Sequence, residues 1–149
     1  MAYYPDLSRY QYFQRALNPP SLTIGWLDGS HDFAVGSVDP LFVEQLWLYC
    51  QNRVWSTRGY HECEICREPQ WPHIAKRGDE ELKLGSAEIR VLGIGNIIYA
   101  APDLIYHYVV DHQYLPPQQF IDAVVNGLSP ASDQYQALKQ KLWTPPASF

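Results

Sequence analysis

Apolar positions along the chain follow two rhythms, and each marks a different kind of element. A weak alternation runs through Leu22-Thr23-Ile24-Gly25-Trp26-Leu27, the period of a strand with one buried face. Asp28-Gly29-Ser30 then reads as a turn. From Leu41 the spacing becomes helical: Leu41, Phe42, Leu46, Leu48 and Tyr49 form a broad apolar stripe that continues to about Asn52. Asp39 followed by Pro40 marks its start, because Asp caps the first free N–H groups and Pro loses nothing at the first helical position. Residues 67–83 are polar and contain Pro69 and Pro72, so they are expected to form a long loop. Strands follow at 86–91 and 96–100, joined by a hairpin turn at Gly93-Ile94-Gly95. Pro102 opens a second helix that runs to about His112. Pro116-Pro117 stops it, Pro117 starts a third through Asn126, and Gly127 sits where a helix C′ residue belongs. Ser132 caps a last helix to about Leu142. These elements predict an α+β fold, a small antiparallel sheet packed with about four helices on one side.

With 149 residues the chain is expected to be a single domain, 1–149, large enough to bury a core without disulfides. Residues 1–20 form a Tyr-rich N-terminal arm closed by Asn18-Pro19-Pro20, and 143–149 a loose tail with Pro145-Pro146. A hydrophobic share of 46% against 18% charged is globular rather than disordered. The formal charge of -5 argues against nucleic-acid binding, which needs a basic face to neutralise phosphates. It fits a soluble protein and would also suit a basic protein partner. The first residues lack a basic and then apolar leader, and no apolar run reaches the ~18 residues of a membrane span. A cytoplasmic, reducing location is therefore expected, with no membrane contact.

Three cysteines is an odd number for a secreted disulfide framework. Cys50 falls on the helical stripe and reads as a small buried hydrophobe. Cys63 and Cys66 form a C-x-x-C, and His107 and His112 form an H-x4-H. Two thiolates and two imidazoles complete a tetrahedral set for zinc, and a reducing compartment favours metal binding over a disulfide for such a pair. In a C-x-x-C turn, local backbone N–H groups can donate to the sulfurs. The two pairs are about 40 residues apart, unlike the ~12 of a DNA-reading finger. Such a site would staple the segment before the strand hairpin to the helix after it.

The H-x4-H spacing carries a geometric difficulty. Residues five apart on an ideal helix point about 140° apart around the axis, so both imidazoles reach one ion only if the helix tightens or ends near His112. His61, which alternates with Cys63 on an extended segment, is the substitute ligand. Asp111 is placed to accept the second ring N–H of a ligand histidine. The competing reading makes Cys63 and Cys66 ordinary buried thiols. A redox dithiol fits less well, since no strand-to-helix junction surrounds the pair and Pro69 follows closely. A nucleophilic Cys66–His107 pair has the least support. Gly93-x-Gly95 lacks the third glycine and the helix of a dinucleotide loop, and no H-E-x-x-H or deaminase signature occurs. Trp71, in the polar stretch, is the best aromatic candidate for a partner contact.

Four blocks, Gly25-Trp26-Leu27, Gly59-x-His61-x-Cys63-x-x-Cys66, Leu84-Gly85-x-x-Glu88-Ile89-Arg90-Val91 and the run from Ala101-Pro102 through His107, His112 and Pro116-Pro117 to Phe120, resemble a family of small uncharacterised bacterial proteins. The resemblance spans about residues 22–125 and is most specific in its last block. It implies a bacterial origin and carries no activity with it.

A complete four-ligand set without a catalytic motif leads to the expectation of a non-enzymatic, zinc-stabilised module that binds an unknown protein partner. The alternative is a small zinc hydrolase. It would use only three of these ligands, a metal-bound water, and Glu62, Glu64 or Glu88 as general base.

Overall fold

The computed structural model describes residues 2–11 and 20–143. The breaker at Asn18 and Pro19 and residues 144–149 of the expected tail lie outside the described residues, whereas Trp143, the first residue of that tail, is not loose but buried at 1% exposure. Among those described, four helices and five strands make an α+β fold, and none of the helices is long and apolar enough to cross a membrane.

Helix α1, Pro40–Gln51, begins as its sequence dictates. The Asp39 side chain accepts the Leu41 N–H at 2.8 Å, with Pro40 in the first turn. Phe42, Leu46, Trp47, Tyr49 and Cys50 are its buried stripe. Strands β4 (Glu88–Leu92) and β5 (Ile98–Pro102) pair antiparallel, and Gly93 N–H donates to Ile97 O across the connection. Helices α1 and α3 (Gln118–Asn126) pack on β4, and α1 also meets α2 (Ile105–His112). Helix α4, Asp133–Leu142, is capped by Ser132, whose hydroxyl accepts the Tyr135 N–H. Buried Tyr135 ties it to β4 by donating to Arg90 O at 2.7 Å.

Several expectations are corrected. The sheet is mixed, not antiparallel: β1 (Leu22–Thr23) runs parallel to β5 in the order β1-β5-β4. The strand expected over 22–27 stops early because Gly25 takes φ +74 and turns the chain away. The stretch 67–83 is not a loop throughout. It holds a second sheet, β2 (His73–Arg77) with β3 (Glu80–Leu84). A two-residue Gly78-Asp79 turn joins them, with Gly78 at φ +60 as the tight hairpin geometry requires. These strands bury only Ala75 and Leu84, so their outward charges gave them the composition of a loop. Pro102 stays in β5, and α2 begins three residues later. Gly127 ends α3 in extended backbone rather than a left-handed turn.

Candidate metal centre

Between Gln51 and His73 the chain forms neither helix nor strand. Its course is set by hydrogen bonds to the first residue of β4 and the segment before it. Val54 exchanges both backbone bonds with Glu88, Thr57 N–H donates to Ser86 O, and His61 N–H donates to Gly85 O at 2.8 Å. Gly85 makes the last contact possible. It sits at φ +113, and a Cβ there would lie 2.5 Å from His61 O. Asp103 holds Gly85 from the other side, accepting its N–H at 2.8 Å while pairing with Arg53 at 3.1 Å. Burial pushes the Asp103 carboxyl up to about 6 against these interactions.

Two residues past His61 the chain reaches Cys63, which is buried, and then Cys66, which is half-buried. The Ile65 N–H points at Cys63 Sγ from 3.4 Å, the donation expected inside such a turn. On the opposite side α2 presents His107, 3% exposed among Leu104, Ile105 and Tyr108. The helix ends at His112, and Gln113 follows in a left-handed conformation at φ 57 and ψ 28. Both histidines belong to α2, so their convergence comes from the directions of the side chains. His112 occupies the last helical position, where its ring swings toward that of His107.

The four side chains converge. Cys66 Sγ lies 3.3 Å from both His107 Nε2 and His112 Nε2, and Cys63 Sγ lies 3.5 Å from His112 Nε2. All four donor atoms fall within 4.8 Å of one another, a cluster that could hold a metal ion. Metal–sulfur and metal–nitrogen bonds of about 2.3 and 2.05 Å place S and N about 3.6 Å apart on a tetrahedron. The observed separations are close to that edge. Burial pushes the Cys66 thiol up to about 11, with the adjacent Cys63 adding to the shift. A cation between the sulfurs would oppose both effects. Burial also lowers the pKa of His107, and the nearby His73 acts in the same direction. The neutral imidazole this favours is the form that ligates.

Around the cluster is a supporting layer. Asp111 Oδ2 is 2.7 Å from His107 Nδ1, one helical turn away. A proton on Nδ1 leaves the Nε2 lone pair free toward the sulfurs. His73, at the start of β2, lays its ring against His107 with centroids 3.9 Å apart. Sequence reading missed His73 because it placed this segment in a loop. The alternation into Ala75 was the available signal. His73, His107 and Asp111 form a second close group, but His107 already directs Nε2 at the sulfurs and Nδ1 at Asp111.

The other candidates lie elsewhere. His61 lines a small cavity with Trp26, Trp55, Glu88 and Asp103 and does not join the four. Glu88 is 4% exposed and held by Tyr10 at 2.7 Å and Arg90 at 2.8 Å. The Glu64 side chain accepts the Gly29 N–H, and Glu62 is exposed. Trp71 is 63% exposed, its indole N–H donating to Tyr60 O.

No curated protein and no solved structure matches the chain. One protein family does, over residues 2–125, a span that contains all four converging side chains and ends one residue short of the end of α3. On that match the chain belongs to the family described as a domain of unknown function, DUF7919.

Proposed function

We propose that this domain is a zinc-bound, non-enzymatic module that presents a surface to a protein partner. The observation that carries the zinc reading is the convergence of Cys63, Cys66, His107 and His112 on one centre at S···N separations of 3.3 to 3.5 Å. Two thiolates and two imidazoles suit zinc among divalent ions, and four protein ligands leave no coordination position for a reactive water. The zinc joins the C-x-x-C segment to the end of α2 and contributes folding free energy directly. A reducing cytoplasm would keep the thiolates available.

The interaction role rests on the closed ligand set and on the exposed Trp71, five residues after Cys66 in the chain, an aromatic of the kind that anchors protein interfaces. The hydrolase alternative needs one ligand withdrawn and a base at the metal. Of the three carboxylates it could draw on, Glu88 is engaged by Tyr10 and Arg90, Glu64 accepts the Gly29 N–H, and Glu62 is exposed.

X-ray absorption on protein purified without chelators tests the metal reading. One zinc per chain with a shell of two sulfurs and two nitrogens is expected, whereas an oxygen in the shell would favour the hydrolase. Affinity capture with wild type and Trp71→Ala tests the role. A specific protein retained by wild type and lost from the variant supports it, and absence of any specific partner counts against it.

A further inference from the structure

We infer that Cys66 and Cys63 are a site of oxidation by peroxide, and that closing a disulfide between them ejects the metal and frees the loop it holds. This inference rests on the zinc reading and adds a regulation to that site.

Three observations carry it. First, the sulfurs are unequal. Cys63 is buried at 2% exposure while Cys66 is half-buried, so a small oxidant meets Cys66 first. Second, the resolving thiol is already in place. Both Sγ atoms belong to one turn and lie within 4.8 Å of each other, with neither in a helix or strand that would resist their approach to about 2.05 Å. Third, the loop has little else to hold it. Among the described residues, no backbone-to-backbone hydrogen bond ties 62–72 to the rest of the chain. Its outward ties are side-chain bonds, from the Gly29 N–H to Glu64 at 3.4 Å, from the Trp71 indole N–H to Tyr60 O at 2.6 Å and from the Ile74 N–H to Gln70 Oε1 at 3.4 Å, together with the packing of Cys63, Ile65 and Cys66 on the core. Val54, Thr57 and His61 remain fixed through Glu88, Ser86 and Gly85. The consequence of metal loss is therefore local: 62–72 lets go while the sheets and helices stay.

The chemistry balances in two steps. The Cys66 thiolate attacks one peroxide oxygen, an S–O bond forms, and the O–O bond breaks. The departing hydroxide takes a proton from solvent, leaving Cys66 as the sulfenic acid. The Cys63 thiolate then attacks the Cys66 sulfur, the S–S bond forms, and the S–O bond breaks with departure of a second hydroxide that is protonated to water. Two thiolates have lost two electrons and hydrogen peroxide has become two waters. The ion is left with two imidazoles, too few to hold it, and departs as the divalent cation. A dithiol reductant reverses the disulfide and restores the site. Cys50, fully buried and with its thiol pushed well up by burial, takes no part.

The test uses the full chain as purified, with its zinc counted before any oxidant is added. Tenfold hydrogen peroxide is then applied with a chromogenic chelator present. The expected result is release of all the bound zinc, a mass lower by about 2 Da, and a mapped Cys63–Cys66 disulfide. Reductant plus zinc should restore the starting state, Cys50→Ala should behave as wild type, and hydrogen exchange should rise over 62–72 alone. Zinc retained through peroxide treatment, a disulfide involving Cys50, or irreversible sulfinic acid without a disulfide each overturns the inference while leaving the zinc reading intact. A chain with no zinc before oxidant overturns both.

Discussion

The rings of His107 and His112 stand 4.8 Å apart at 83°, although five residues separate them. An uninterrupted helix would aim them about 140° apart. The left-handed Gln113 is what ends the helix at His112, and the two Nε2 atoms then lie equally far, 3.3 Å, from Cys66 Sγ.

Cys63→Ser and Cys66→Ser should each lose the zinc and lower the melting temperature by roughly 10 °C, since structural zinc supplies folding free energy. Metal analysis and a thermal melt read both quantities. Unchanged values in both would reduce the pair to ordinary core thiols.

His112→Ala should lose zinc while His61→Ala keeps it, because His61 faces the cavity with Trp26 and Trp55. Stoichiometry measured on the two purified variants decides this. The reverse pattern would show the ligand set to be wrong.

Asp111→Ala should retain one zinc at saturation but bind it about 10- to 100-fold more weakly, as loss of the acceptor behind a ligand histidine does. Competition against a chelator of known affinity reads the change. An affinity equal to wild type would mean that the 2.7 Å contact to His107 Nδ1 does not tune the metal.

Gly85→Ala should destabilise the fold by about 3 kcal/mol, from a strained φ together with a Cβ driven against the backbone. The clash is with His61 O at 2.5 Å, so the C-x-x-C segment should loosen with it. Denaturant unfolding tests this, and a loss under about 0.5 kcal/mol would contradict the close approach.

Asp103 sets a pH dependence. Burial holds its carboxyl at about 6 in the fold, above the ordinary value of 3.8. Between these values the folded state holds a proton that the unfolded state has released. The stability associated with this proton is therefore full below about pH 4 and lost as pH rises through about 6. Asp103→Asn should remove that component, on the order of 3 kcal/mol across the window. Stability measured at several pH values in both proteins gives the difference in slope, and parallel curves would rule the shift out.

What could be read from the sequence was governed by locality. The Asp39-Pro40 start and the Ser132 cap are decided by neighbours a few residues away, and α1 and α4 begin where those residues place them. The four converging side chains could be chosen by ligand chemistry alone, since few residue sets satisfy one cation. The parallel pairing of β1 with β5 is a contact across most of the chain, and alternation carries no information on strand direction. The β2–β3 hairpin eluded the pattern because it buries so little. Lys76 and Glu81 pair across it with both side chains exposed, and two prolines precede it. Whether His61 or His112 joins the cluster depended on where each side chain is carried by the fold, which residue types do not specify.

The two hairpins, β2–β3 and β4–β5, lie between the cysteines and the histidines in the chain. A ligand set divided in this way is assembled late. Each hairpin can close through short-range pairing, whereas gathering Cys66 and His107 means closing a loop of about 40 residues, with the larger entropy that entails. An ion taken up there would thus meet a nearly finished chain and act as the final latch on a structure whose sheets are already laid down.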